Sequence, residues 1–145
     1  MPFNLDGRMI MDETAGESVP PRRKIPHYHG DEVRVIFVVA AVVIIVAQST
    51  GADLPFSTLG AVAVAILLVV VAGITNPAVK WIHWVNAIVA TLGTLTFGVS
   101  AVERYRAGVS IFDPSFAYIE ALAILALFAL HFTTRTIRGN RPRPE

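Results

Sequence analysis

WIHWVNAIVATLGTLTFGVSAVER, residues 81–104, decides how the rest of the chain is read. The stretch is apolar and long enough to cross a bilayer as a helix, and it carries a polar stripe along much of its length. His83, Asn86, Ala90, Gly93, Phe97, Ser100 and Arg104 follow one another at intervals of three or four residues, so a helix places them on one face. That face is polar at both ends and small in the middle. It is expected to point into a helix bundle rather than at lipid.

Three further apolar runs flank it. With their ends, the four spans are predicted at about 32–50, 55–75, 78–102 and 115–135. None of the runs alternates, which excludes the short two-faced strands of a transmembrane barrel. An unpaired backbone group in lipid costs several kcal/mol, so each span must be helical. The expected fold is an all-α integral membrane protein, with four transmembrane helices forming an up-down bundle of two hairpins.

Composition agrees. Of 145 residues, 54% are hydrophobic and 16% charged, and the mean hydropathy is +0.59. A soluble domain of this size has too little interior to hide so much apolar side chain, so lipid must act as part of the solvent. There is no cysteine, which removes disulfides, thiolate metal sites and thiol catalysis. Residues 1–30 are polar, contain Pro20, Pro21 and Pro26, and read as a disordered tail. Their basic cluster comes late and no small-residue cleavage site follows the first apolar run. That run is therefore expected to stay as an anchor. Residues 136–145 read as a short basic tail.

Lysine and arginine set the expected orientation. Arg22, Arg23, Lys24, Arg34, Lys80, Arg135, Arg138, Arg141 and Arg143 fall on one side, and Arg104 and Arg106 on the other. Nine against two places both termini in the cytoplasm of a cell (inner or plasma) membrane. Trp81 and Trp84 then lie at the inner interface, and Tyr105 and Tyr118 at the outer one.

Helix starts and contacts are also legible. Asn76-Pro77 and Asp113-Pro114 each join an N-cap side chain to a proline at the first helical position, and Asp53-Leu54-Pro55 is a looser version. The loops DLPF and DPSF suggest two similar hairpins in tandem. Helices in lipid associate through small residues and hydrogen bonds. Ala61, Ala65 and Ala72 in the second span, Ala90, Gly93 and Thr94-x-x-x-Gly98 in the third, and Ala117, Ala121, Ala123, Ala126 and Ala129 in the fourth are the candidates.

Three constellations bear on chemistry. His83 and His131 are expected at similar depth on antiparallel helices, where two imidazoles would hold a b-type haem or a metal. His27 and His29 lie on the same side. The plainer reading, which the sequence favours, is interfacial packing with no cofactor. Glu120 lies within the fourth span, where a carboxylate costs about 2.5–3.5 kcal/mol at the bilayer centre and less near an interface. Its expected partners are Gln48, Ser100, Arg104 and Arg106, with an Arg104 pair the plainest outcome. Glu120 and His131 are eleven residues apart, close to three turns, so they share a helix face. A proton or cation path along that face is the sharper reading. Thirdly, Arg22, Arg23, Lys24, Arg135, Arg138, Arg141 and Arg143 suit anionic lipid headgroups. They lack the interleaved aromatics of a nucleic-acid surface.

In size and span number the chain is similar to small multidrug-resistance transporters. Those carry a glutamate in the first span, whereas residues 33–47 here contain no acid. It is also about the size of fluoride channels and of small accessory subunits of respiratory complexes. These are likenesses of length and hydropathy that bring no residues with them. The function expected from the sequence is therefore a non-enzymatic structural or accessory membrane subunit, acting with other membrane subunits or by self-association. The first alternative is a small oligomeric ion channel or proton-coupled transporter using Glu120. The second is a haem-binding electron-transfer subunit using His83 and His131.

Overall fold

The computed structural model describes residues 30–75 and 79–139, and every regular element among them is a helix. In chain order these are α1 (Gly30–Ser49), α2 (Thr58–Ile74), α3 (Lys80–Arg106) and α4 (Pro114–Gly139). All four fall on the runs expected from sequence. Two of them, α3 from Trp81 and α4, are long and apolar enough to cross a membrane. The N-terminal tail, the Asn76-Pro77 cap, His27, His29, Arg22, Arg23, Lys24, Arg141 and Arg143 lie outside the described residues.

The ends of the helices have distinct chemical causes. In α4, Pro114 is the first helical residue, and Asp113 Oδ1 accepts a hydrogen bond from the Phe116 amide at 3.1 Å. In α2 the cap differs from the expected one: Ser57, not Asp53, stands at the N-cap, its Oγ accepting from the Gly60 amide at 3.2 Å. The helices α1 and α3 stop in the same way. Gly51 and Gly108 take φ values of 73° and 77°, in the left-handed region that suits glycine. The following amides turn back, Ala52 to the Ala47 carbonyl at 2.9 Å and Val109 to the Arg104 carbonyl at 3.1 Å. With Gly51 donating to Gln48 and Gly108 to Tyr105, each ending is a Schellman motif.

The packing order is α2, α1, α4, α3. The helix α1 lies against both α2 and α4, α4 lies extensively against α3, and α2 and α3 scarcely meet. Helix α1 can serve two neighbours because Val33, Phe37, Ala40, Ala41, Ile44 and Ala47 are all buried, in a stripe at three- and four-residue spacing. Alanines let the backbones approach: Ala61 and Ala65 are buried in α2, Ala90 in α3, and Ala123 and Ala129 in α4. Gly93 belongs to the same contact, since a Cβ there would stand 3.3 Å from the Ala126 Cβ.

Where α2 and α3 diverge they leave an apolar crevice of about 190 Å³ between them, floored by Ala40 and Ala126. It is bridged at both ends. The Phe56 and Phe97 rings meet edge to face, with centroids 5.6 Å apart. At the other end the Asn86 amide donates to Thr75 Oγ1 at 3.2 Å. The outward surface of all four helices is rich in large apolar side chains, among them Val42, Leu67, Leu95 and Phe128.

Candidate functional site

The polar stripe of residues 81–104 turns inward along its length. His83, Asn86, Ala90 and Phe97 are buried, and Gly93, Ser100 and Arg104 are half-buried, while Leu92, Leu95, Val99 and Val102 face out. Its polar members serve packing. Asn86 is 1% exposed and tied to Thr75, whose own hydroxyl donates to the Val71 carbonyl at 2.8 Å. Ser100 Oγ donates to the Thr96 carbonyl one turn back.

Arg104 corrects one expectation. Its Nη2 donates to Asp53 Oδ2 at 2.6 Å and to the Asp53 carbonyl at 2.8 Å, so its partner is the α1–α2 loop and not Glu120. The Asp53 amide in turn donates to Ser115 Oγ at 3.1 Å. The DLPF and DPSF loops therefore meet at one end of the bundle. Their aspartates have diverged in role, Asp113 capping α4 and Asp53 receiving Arg104. Gln48 is half-buried near the end of α1.

The two histidines face different surroundings. His83 is 3% exposed and lies inside the bundle. His131 is exposed on α4, its ring 5.6 Å from that of Phe132. No single face carries both imidazoles, and among the described residues no group of three potential metal ligands gathers.

Glu120 is the site residue whose placement demands an account. It lies on the outside of the bundle and, among the described residues, has no hydrogen-bonding or ion-pairing partner. The exposed positions of α4 include Ala117, Glu120, Ala121, Ile124, Leu127, Phe128, His131, Arg135 and Arg138, which recur at helical spacing along one broad face. Glu120 and His131 thus share one face, as their spacing required. That face is small next to the carboxylate, apolar in the middle and basic at its far end. On it an acid is set among exposed apolar side chains.

Comparison with protein-family models, curated proteins and solved structures finds no match to this chain. The face of α4 must speak for itself.

Proposed function

We propose that this chain is a small membrane subunit whose role is to assemble with other membrane polypeptides through the outer face of α4. In this reading the four helices cross a cell (inner or plasma) membrane as an up-down bundle with both termini in the cytoplasm. The observation that carries it is Glu120. It stands six residues, or about 9 Å, from the start of its helix and faces away from every other helix of the chain. A carboxylate held against hydrocarbon is costly, and covering it with a polypeptide that supplies a cation or a hydrogen-bond donor removes the cost. Ala117 and Ala121 beside it leave room for such a helix to approach. The basic residues at the chain ends, Arg135 and Arg138 together with Arg22, Arg23, Lys24, Arg141 and Arg143, suit anionic headgroups at about 1 kcal/mol each.

The test is a photo-crosslinking residue at Ala121, beside Glu120, compared with one at Val70 on the exposed side of α2, in the membrane of the cell that makes the protein. Ala121 is expected to give a polypeptide adduct of discrete mass that Glu120→Gln weakens, while Val70 gives lipid adducts. Lipid adducts alone at Ala121 would refute the reading.

A second reading is favoured by the shared stripe of Glu120 and His131. Copies of the chain facing one another across α4 would enclose both groups and form a proton or cation path. An adduct of twice the chain mass, with vesicle flux lost in Glu120→Gln, distinguishes this from assembly with a different subunit.

A further inference from the structure

A second surface, on the side formed by α1 and α2, combines shape with charge. Between the two helices runs a furrow made of two hollows. One, of about 420 Å³, is lined by Val38, Val42, Ile45, Val46, Val62 and Val69, among others. The other, of about 370 Å³, is lined by Arg34, Val35, Val38, Val69, Ala72 and Gly73. They share Val38 and Val69 and so form one continuous channel. Ala41 and Ala65 deepen it, and a Cβ at Gly73 would find nothing within 4 Å.

Arg34 stands at one end. Its Nε donates to the Ala72 carbonyl at 3.1 Å, which fixes the guanidinium beside the last turn of α2, where the helix end carries partial negative charge. Its Nη1 lies 3.8 Å from Asp31 Oδ1, at the outer limit of an ion pair, and Asp31 is 80% exposed. The Arg34 side chain is 47% exposed at the furrow's mouth. From Arg34 to Val46 are twelve residues, about 18 Å along a helix. That is close to half of a hydrocarbon core of about 30 Å, the depth of one leaflet.

We infer that this furrow holds one anionic phospholipid, its phosphate against Arg34 and one acyl chain along the valines. The shape favours a chain over a helix. The rims are mostly branched valine and isoleucine, with Ala41, Ala65 and Ala72 buried at the bottom, whereas helix pairs in membranes meet through small residues at their ridges. Arginine matches phosphate geometry with paired donors and supplies the preference for an anionic headgroup.

The inference rests on the reading that the chain spans a bilayer, so partition of the full chain between detergent and water comes first. Recovery in water overturns both readings. Recovery in detergent leads to native mass spectrometry of delipidated protein with phosphatidylglycerol or phosphatidylcholine of equal chain length. One phosphatidylglycerol is expected to bind about tenfold more tightly, the weight of one charge-assisted hydrogen bond. Arg34→Gln should erase that preference and Arg34→Lys should retain part of it. Val69→Trp, which fills the furrow and leaves Arg34 in place, should weaken both lipids with helical circular dichroism unchanged. Equal binding of the two lipids, a preference that survives Arg34→Gln, or a chain dimer that Val69→Trp dissociates would each overturn the inference.

Discussion

Arg104 Nη2 lies 2.6 Å from Asp53 Oδ2 and 2.8 Å from the Asp53 carbonyl oxygen, joining the end of α3 to the loop between α1 and α2. Because Asp53 also donates its amide to Ser115, the two loops and the end of α3 form one polar cluster. The cluster ties the first hairpin to the second at the end where the loops gather.

The strength of that tie is bounded by solvent. The Asp53 side chain is 81% exposed and that of Arg104 24%. A double-mutant cycle of Asp53→Asn and Arg104→Gln is expected to give a coupling of about 0.2–1 kcal/mol, falling as salt is raised. Arg104→Gln alone should cost more than Asp53→Asn, because it also loses the bond to the carbonyl. Thermal unfolding in detergent at two salt concentrations measures both.

Asn86 and Thr75 are buried, so their bond should matter more. Thr75→Val leaves the Asn86 amide in an apolar place and should destabilise by about 1–3 kcal/mol. Adding Asn86→Leu to Thr75→Val should recover part of the loss, since both polar partners are then gone. Melting temperatures of the single and double variants decide it.

Gly93 is predicted to be intolerant of bulk. A Cβ would already sit 3.3 Å from that of Ala126, so Gly93→Ala requires a small shift and Gly93→Leu must force α3 from α4. The expected cost of Gly93→Leu is about 1–3 kcal/mol, with Ala126→Gly restoring part of it. Unfolding midpoints of the three variants provide the check.

The two histidines should separate cleanly by stability. His83→Ala opens space inside the bundle and is expected to cost more than about 1 kcal/mol, while His131→Ala, on the exposed face, should stay within about 0.5 kcal/mol. Equal effects would mean that the His131 ring is covered in the purified protein.

The absence of cysteine makes the proposed orientation easy to measure. Ser110→Cys, in the loop after α3, should react with an impermeant maleimide in intact cells. Gly139→Cys, at the end of α4, should react only after permeabilisation. The reverse pattern would invert the bundle and leave its internal contacts as they are.

Helix placement was legible in the sequence because hydropathy and capping agree on it. Asp113-Pro114 starts α4 as its chemistry requires, and the periodicity of residues 81–104 correctly foretold which face turns inward. Ser57 was missed because Asp53-Leu54-Pro55, a few residues earlier, offers the stronger cap signal. Gly51 and Gly108 carried a readable signal, glycine just past an apolar run, but the endings they form need two return hydrogen bonds that spacing alone does not display. Pairing was the least legible part. The sequence offers Arg104 a carboxylate at similar expected depth on more than one element, Asp53 and Glu120, and sequence distance does not say which it meets. The central position of α1 was hidden too, because its valines and isoleucines look alike all round the helix, and only contact distinguishes the Phe37–Ile44 side from the Val38–Val42 side.

The crevice between α2 and α3 has a consequence for how the chain comes together. Each helix of the first pair finds its main partner next to it in the chain, and so does each of the second. The one long seam between the pairs is α1 against α4. Local pairing of this kind closes short loops before long ones, which favours rapid formation of each half. Two polypeptides divided after Thr75 and made together should therefore find one another, each arriving as a finished hairpin and zipping along that seam.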